Sequence, residues 1–264
     1  MSDAPEIVAC ADRDGLYERA ARRFVEAART AASARGRFAV ALSGGSTPVP
    51  LFELLAEPEL RDAVPWERVR VFWADERCVA PDHEDSNYRL ARETLLEPVG
   101  IAADRVHRIE GELPDPEEAA ARYEREMRRA LAPTPEATPH LDLVLLGLGE
   151  DGHTASIFPG SEAVEATDRL VVGVPATEPA MQPPIIERIT LTPAAINAGR
   201  DVVFLVTGEA KAPAVAATLE GPHAPRQWPA QRIDPVEGRA TWLLDTAAAS
   251  GLSGLESEVE ETVS

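Results

Sequence analysis

The sequence has few basic residues and no long apolar run. Its 264 residues carry 26 Lys and Arg against 45 Asp and Glu, a formal net charge of −19. A nucleic-acid-binding surface needs a Lys/Arg-rich face, and no such block occurs, so we expect no nucleic-acid partner. No apolar run approaches the ~20 residues of a membrane span, and the first residues lack a secretory signal. We therefore expect a cytoplasmic protein with no membrane partner.

The chain also has little cysteine. Its two cysteines, Cys10 and Cys78, are far apart in sequence and have no companion residues at metal-ligand spacing. Neither a disulfide framework nor a zinc site is indicated, because both need further ligands or partners at suitable spacing. We interpret Cys10 and Cys78 as ordinary thiols.

What the chain does have is a substantial apolar content, 44% of its residues, which excludes global disorder and allows one large core. Short apolar runs that end in glycine or acidic clusters alternate with longer segments of helical period. This alternation is typical of βαβ units, so we expect a Rossmann-like α/β fold with a mostly parallel sheet and helices on both faces. Without repeats or a low-complexity linker, we expect one domain, residues 1–253, and a mobile acidic tail, residues 254–264.

The individual elements follow from the same pattern. Helices are expected at residues 13–34, Val49–Ala56, 87–96, Pro116–Leu131 and 211–219. Buried strands are expected at Phe38–Leu42, residues 69–74, 141–146, 170–174, Arg188–Leu191 and 202–206. A last strand at residues 242–244 is expected to close the sheet.

Polar clusters come directly after four of the predicted strands. They are residues 43–47, 75–77, 149–154 and 207–211. In open parallel sheets the ligand crevice lies beyond the carboxyl ends of the strands, near a switch point in strand order. We therefore expect these clusters, although distant in sequence, to form one active site at that edge of the sheet.

The first cluster has the composition of an anion-binding loop. It reads Ser43-Gly44-Gly45-Ser46-Thr47 and offers backbone N–H groups, three hydroxyls and a following helix N-terminus, which suit a phosphate dianion. The Walker spacing is absent. A tight strand-to-helix turn with a capping serine would explain the same residues, and the loop alone does not decide between the two.

Two other clusters carry cations. Lys211 stands near the N-terminus of a predicted helix, where a cation opposes the helix dipole unless an anion compensates it. Arg77 follows Asp75 and Glu76 and has a guanidinium that can bind phosphate oxygens in bidentate fashion. The alternatives are a solvated lysine and a local salt-bridge cluster. We take Arg77 and Lys211 as candidate phosphate-binding residues and Asp75 as a secondary candidate.

His153 is the candidate for proton transfer. Histidine titrates near neutrality, and this one follows a glycine-rich turn instead of lying on an apolar helix face. Asp151 could orient the imidazole or accept a proton, although a capping aspartate beside a surface histidine is the alternative. No serine elbow, metal-ligand pair or dinucleotide fingerprint occurs, so water is the expected nucleophile. Surface positions are expected for the remaining histidines, His83, His107, His140 and His223.

Six motifs, which span most of the chain in a fixed order, resemble those of the 6-phosphogluconolactonase family. They are residues 38–48 (FAVALSGGSTP), 72–77 (FWADER), 86–89 (SNYR), 146–156 (LGLGEDGHTAS), 188–192 (RITLT) and 206–211 (VTGEAK). The resemblance implies hydrolysis of 6-phospho-D-glucono-1,5-lactone to 6-phosphogluconate, the second step of the oxidative pentose phosphate pathway. It also implies that no metal or organic cofactor is used, that the fold is shared with glucosamine-6-phosphate deaminases, and that the protein is a monomer or dimer.

Two other functions remain open. The related deaminases usually carry Asp-Glu-Tyr where this chain has Asp75-Glu76-Arg77, and a ring-opening glutamate where it has Phe158. A sugar-phosphate-binding regulator that has lost catalysis is the second alternative. If the resemblance holds, His153 takes a proton from the attacking water, and Asp151 sets the orientation of the His153 imidazole.

The remaining site residues would then bind the substrate. The 43–47 loop and Lys211 would hold the 6-phosphate, and Arg77 would share that role or stabilise the oxyanion. Asp75 would lie near the sugar hydroxyls or Arg77. Because the whole protein is acidic, we expect these groups to form a small positive pocket on an otherwise negative surface.

Overall fold

The computed structural model describes residues 4–132, 134, 137–178, 180–181 and 185–253. Its strands are β1 Glu6–Cys10, β2 Phe38–Leu42, β3 Val69–Trp73, β4 Asp75–Arg77, β5 Leu143–Leu146, β6 Val171–Val174, β7 Arg188–Leu191, β8 Asp201–Val206 and β9 Arg239–Asp245. Its α-helices are α1 Arg13–Arg35, α2 Val49–Ala56, α3 Pro58–Arg61, α4 Asn87–Ala91, α5 Glu97–Val99, α6 Pro116–Leu131, α7 Pro193–Asn197, α8 Ala212–Leu219 and α9 Thr246–Ala249. The predicted acidic tail, residues 254–264, lies outside the described residues.

Six strands form a parallel sheet in the order β1-β9-β8-β5-β2-β3. Every residue of β2, β5 and β8 is buried, so both faces of the sheet are covered at its centre. The predicted α/β fold with a mostly parallel sheet is confirmed.

The direction of strand addition reverses between β2 and β5. From β2 the chain adds β3 on one side, and from β5 it adds β8 and then β9 on the other. Neighbouring strands whose connections leave in opposite directions form a crevice at their carboxyl ends. The Ser43 hydroxyl donates a 2.7 Å hydrogen bond to the carbonyl oxygen of Leu145 across this point. The loops that follow β2 and β5 therefore lie side by side.

A second, antiparallel sheet contains β4, β7 and β6, in that order. The chain passes between the sheets at Ala74, whose N–H donates to the Leu42 carbonyl at 2.8 Å and whose carbonyl accepts from the Leu191 N–H at 2.7 Å. The sequence predicts β6 and β7 but not that they leave the parallel sheet. Residues 75–77, expected only as a polar cluster after the predicted strand, are themselves a short strand.

The prediction that residues 242–244 close the sheet is wrong. These residues belong to β9, and β1 pairs with β9 along its whole length to form the edge. Most of β1 is only half buried, because an edge strand has a neighbour on one side only. Its short, mixed sequence lacks the continuous apolar run that marks the central strands.

Helix α1 shows how the sequence sets an element that covers the sheet. Asp12 caps its N-terminus by accepting a 2.8 Å hydrogen bond from the Gly15 N–H. Gly36, at φ 71°, ends the helix in the left-handed conformation that glycine adopts without strain. The buried face between these ends includes Leu16 and Phe24, which join the core.

The structure also describes the two cysteines and bears on the predictions of no membrane span and no metal site. Both cysteines are free thiols, as predicted, and burial raises the pKa of each, that of Cys78 to about 12. Among the helices of the described ranges, none is both long and apolar enough to cross a membrane. Within those same ranges, no group of three or more His, Cys, Asp or Glu is arranged to hold a metal ion.

Candidate active site

A cavity of about 210 Å³ lies at the carboxyl ends of β2, β5 and β8. It brings together residues of all four predicted polar clusters, which lie between positions 43 and 211 of the sequence. Eight of the predicted site residues line it: Ser43, Gly44, Gly45, Thr47, Asp75, Arg77, His153 and Lys211. Ser46 is exposed and is not part of the lining, and Asp151 contacts His153 without lining the cavity.

His153 and Asp151 form a hydrogen-bonded pair. The distance between His153 Nδ1 and Asp151 Oδ1 is 2.6 Å, and the His153 backbone N–H donates to the same oxygen at 3.2 Å. Burial raises the pKa of Asp151, but the hydrogen bonds and charge of His153 outweigh burial and hold that pKa below its ordinary value. An ionised carboxylate assigns the Nδ1 proton to the shared hydrogen bond and leaves Nε2 as the proton acceptor.

The loop that carries this pair is tightly constrained. The Gly149 N–H donates to the His153 carbonyl at 2.8 Å, and a Cβ at Gly149 would overlap the imidazole and the Asp151 carboxylate. Gly152, at φ +79°, has Trp228 packed against it, since a Cβ there would lie 2.6 Å from the Trp228 ring. The Phe158 ring lies 4.9 Å from the imidazole. The position of His153 is therefore set by its own loop together with the Trp228 and Phe158 rings.

The 43–47 loop keeps backbone groups available beside the cavity. Gly45 has φ +80°, a left-handed conformation that suits glycine. The Tyr17 hydroxyl fixes the loop by donating a 2.7 Å hydrogen bond to the Thr47 carbonyl. Helix α2 begins after Pro48 with no side-chain cap, so the capping-serine alternative does not describe this turn. Its first amide groups retain their capacity to bind an anion.

Two cations face the same cavity as His153. Arg77 is anchored through Nη1, which donates to the Asp85 carbonyl and to Asn87 Oδ1, each at 2.8 Å. Lys211 precedes α8 at its N-cap position. It is the only lysine in the chain, every other residue of the Lys/Arg type being arginine.

Arg188 adds a further cation near this wall. It lies opposite Arg77 in the register of β4 and β7. Burial lowers the pKa of Arg188, and the charge of Arg77 lowers it further. The paired positions concentrate positive charge beside the cavity of an otherwise acidic protein.

The two carboxylates of residues 75–77 have different surroundings. Asp75 lines the cavity and accepts from the Ser156 hydroxyl at 2.7 Å. Glu76 accepts hydrogen bonds from the N–H groups of Arg77, Asn87 and Tyr88. Burial raises the pKa of Glu76, although these bonds oppose the rise. Glu76 therefore supports the start of α4 and does not line the cavity.

Asn87 is a cavity residue to which the sequence analysis gave no role. It belongs to the SNYR motif, but a side-chain amide carries no charge and does not titrate, so nothing in the sequence singles it out. In the structure its side chain is buried and contacts both Asp75 and Arg77.

The expectation of a surface position is wrong for His107. Its ring stacks on Phe72 at a centroid distance of 4.5 Å, and its Nδ1 lies 2.7 Å from Glu126 Oε1. Burial lowers the pKa of His107, while the Glu126 contact opposes the shift. His107 is a packing residue beside β3, and it does not line the cavity.

Comparison with known proteins identifies relatives over nearly the whole chain. The family model described as "Glucosamine-6-phosphate isomerases/6-phosphogluconolactonase" matches residues 11–242. A 6-phosphogluconolactonase of Nostoc sp. is 41% identical over 243 residues, which cover 92% of this chain and 96% of that protein. A 6-phosphogluconolactonase of Streptomyces coelicolor is 39% identical over 260 residues, 96% of each chain.

Solved structures agree with these sequence matches. The 6-phosphogluconolactonase of Trypanosoma brucei superposes with a TM-score of 0.83 at 33% identity, covering 96% of this chain and 100% of that one. A monomeric glucosamine-6-phosphate deaminase shares the fold, with a TM-score of 0.77 at 20% identity over 94% of this chain and 100% of that one. The chain belongs to the family of glucosamine-6-phosphate isomerases and 6-phosphogluconolactonases.

Proposed function

We propose that the protein hydrolyses 6-phospho-D-glucono-1,5-lactone to 6-phosphogluconate, the second step of the oxidative pentose phosphate pathway. The observation that carries this proposal is one cavity lined by His153, Arg77, Lys211 and the 43–47 loop. Relatives that are 39–41% identical over almost the whole chain carry the name 6-phosphogluconolactonase, which supports it. We keep the predictions that the enzyme is cytoplasmic, monomeric or dimeric, and independent of metal and cofactor.

The substrate phosphate is assigned to the 43–47 loop and Lys211. The loop supplies backbone N–H groups next to the uncapped first turn of α2, and Lys211 supplies a point charge. The net charge of −19 repels an anionic substrate at long range, but salt screens exposed charges beyond about 8 Å. Local cations and amides then dominate binding once the substrate is at the cavity.

Hydrolysis begins with water as the nucleophile. Nε2 of His153 accepts a proton from the water as its oxygen bonds to the lactone carbonyl carbon, while Asp151 holds the Nδ1 proton. The tetrahedral intermediate collapses by breaking the bond between that carbon and the ring oxygen. His153 returns its proton to the ring oxygen, which becomes the 5-hydroxyl group of 6-phosphogluconate.

Arg77 has two possible assignments in this scheme, and kinetics separates them. If Arg77 contacts the phosphate in both ground and transition states, Arg77→Ala raises KM and leaves kcat unchanged. If Arg77 stabilises the oxyanion, the same variant lowers kcat.

The deaminase alternative needs a carboxylate in the ring-opening relay. The corresponding position here is Phe158, whose ring lies 4.9 Å from the His153 imidazole and cannot exchange a proton. Arg77 also stands where the deaminases usually have tyrosine. The regulator alternative predicts thermal stabilisation by a sugar phosphate without turnover.

One paired assay separates the three functions. The purified protein is given freshly prepared 6-phosphogluconolactone and, separately, glucosamine-6-phosphate, while acid release and ammonia release are followed. We expect acid release well above spontaneous lactone hydrolysis and no ammonia. Ammonia without lactone turnover would favour the deaminase, and thermal stabilisation without either product would favour the regulator.

A further inference from the structure

We propose that Asn87 is a positioning residue for lactone hydrolysis that fixes the Arg77 guanidinium at the cavity wall. The inference rests on the proposed function, because it assigns a role to Arg77 in that reaction. It concerns a side chain that acts on the reaction through Arg77.

The contacts of Asn87 use both polar atoms of its side chain. Oδ1 accepts a 2.8 Å hydrogen bond from Arg77 Nη1. Nδ2 donates to the backbone carbonyl of Asp75 at 2.9 Å and to Asp75 Oδ1 at 3.2 Å. The Asn87 backbone N–H is held by Glu76 Oε1 at 2.8 Å. With 1% of the residue exposed, Asn87 has a fixed place at the start of α4.

These neighbours admit one orientation of the Asn87 amide. Arg77 presents a donor, whereas Asp75 presents two oxygen acceptors. A reversed amide would place its NH₂ group against the guanidinium and its oxygen against the Asp75 oxygens. The hydrogen bonds from Asn87 Nδ2 to Asp75 therefore turn the Asn87 side-chain oxygen, Oδ1, toward Arg77.

Arg77 needs such an acceptor because of its position. It lies opposite Arg188 in the register of β4 and β7, so two guanidinium groups are close together. Because charges of like sign repel, Arg188 tends to displace the Arg77 guanidinium. The oxygen atoms that accept hydrogen bonds from Arg77 Nη1 oppose that displacement. One of these oxygens belongs to the Asp85 backbone and the other to the Asn87 side chain. Substituting Asn87 therefore removes one of the two hydrogen bonds that hold the guanidinium.

Asn87 also contacts the anion-binding loop. A Cβ at Gly44 would overlap the Asn87 side-chain amide, so the loop approaches this amide as closely as glycine allows. Substituting either residue should therefore disturb the same geometry. Gly44→Ala adds a methyl group that displaces the amide, and Asn87→Ala removes the amide itself.

The test is a double-mutant cycle in the lactonase assay, with spontaneous hydrolysis subtracted. Asn87→Ala should change the same kinetic parameter, kcat or KM, that Arg77→Ala changes, and should lower kcat/KM by about 10²-fold, as misplacement of a binding group does. In the Arg77→Ala background the same substitution should cost less than about threefold, because the group it positions is gone. In the Lys211→Ala background, Asn87→Ala should lower kcat/KM by the same factor as it does in the wild-type protein.

Independent variants guard against a loss that comes only from folding. Gly44→Ala should show an Arg77-dependent loss in addition to any change in the anion-binding loop. Asn87→Ser, whose hydroxyl can both accept from Arg77 and donate to Asp75, should lose less activity than Asn87→Ala. Asn197→Ala is the matched control: its side chain bonds the Arg232 carbonyl and the Asp234 N–H, each at 2.8 Å, and it lines no wall of this cavity. The control should keep wild-type kcat and KM, whatever its thermal stability.

The outcomes separate this inference from the proposed function. Absence of lactone turnover by the wild-type protein would overturn the proposed function. With turnover established, an equal loss from Asn87→Ala in the wild-type and Arg77→Ala backgrounds would overturn the role of Asn87. If Asn87→Ala does not fold, the inference is overturned when Asn87→Ser changes a different kinetic parameter from Arg77→Ala.

Discussion

His153 Nδ1 lies 2.6 Å from Asp151 Oδ1, although only Gly152 separates the two residues. The same Asp151 oxygen accepts the His153 backbone N–H, so one carboxylate fixes both the ring and the main chain of the histidine. Nε2 is consequently the ring atom left to accept the proton of the attacking water. The orientation of the proposed base is thus set within three residues.

Replacing Asp151 by Asn should reduce catalysis with little effect on substrate binding. The amide keeps the shape of the carboxylate but can donate to Nδ1, which favours the wrong imidazole tautomer. We expect kcat to fall by about 10²- to 10⁴-fold while KM stays close to wild type, because Asp151 does not line the cavity. Steady-state kinetics at pH 7 measures both constants, and a wild-type kcat would contradict the role given to Asp151.

The same variant gives a pH-dependent stability difference. The pKa of folded Asp151 lies below its ordinary value, so its ionisation stabilises the fold above the ordinary pKa and this contribution is lost as pH falls. Asp151→Asn should therefore melt below wild type at pH 7, and the two melting temperatures should converge below about pH 4. A constant difference across that range would contradict the lowered pKa.

Gly149→Ala tests whether the loop itself holds the base in place. The new Cβ would overlap both His153 and Asp151, so the imidazole must move and kcat should fall by about 10²-fold. Glu150→Ala is the control on the same loop, since Glu150 is exposed and does not line the cavity, and it should retain kcat. Equal kcat values for the two variants would show that the Gly149 contact is not required.

Lys211 can be examined chemically because the chain has no other lysine. Pyridoxal 5′-phosphate, an aldehyde that carries a phosphate, should form a Schiff base with the Lys211 amine that borohydride reduces to a stable adduct. Peptide mapping should find the adduct at Lys211, and 6-phosphogluconate should prevent it. Lys211→Ala should mainly raise KM. A wild-type KM for Lys211→Ala would contradict the assignment of Lys211 to the phosphate site. So would labelling of Lys211 that 6-phosphogluconate does not prevent.

Removal of metal ions should leave the activity unchanged. In the proposed reaction His153 activates water and the carbonyl oxygen is stabilised by hydrogen-bond donors or Arg77, so no step requires a Lewis acid. The lactonase rate should be the same before and after dialysis against EDTA. A rate that falls on dialysis and returns with a divalent cation would contradict this prediction.

The sequence predicts most of the site because each polar cluster follows an apolar strand. Once β2 and β5 are neighbours at the switch point, Ser43 and His153 must lie at the same edge of the sheet. The hydrophobic pattern does not predict β4, because three residues are too few to show a periodicity. It does not predict β1 either, because that strand is only half buried. Both segments depend on tertiary pairing that no local pattern contains.

The residues missed by sequence analysis share a physical reason. The Asn87 side chain is uncharged and does not titrate. Its importance comes from its contacts with Asp75 and Arg77, which form only when the chain is folded. His107 looks polar in sequence, but Phe72 and Glu126 provide a stacking surface and a hydrogen bond that allow its burial. Such roles depend on neighbours that are distant along the chain.

The most direct test of the account is the lactonase rate of His153→Ala, measured with fresh 6-phosphogluconolactone and corrected for spontaneous hydrolysis. Loss of the general base should lower kcat by about 10²- to 10⁴-fold, while the loop and Lys211 still bind the phosphate and KM changes little. Thermal denaturation of the variant checks that its fold is retained. A folded His153→Ala protein with a rate near wild type would contradict the assignment of His153 as the base.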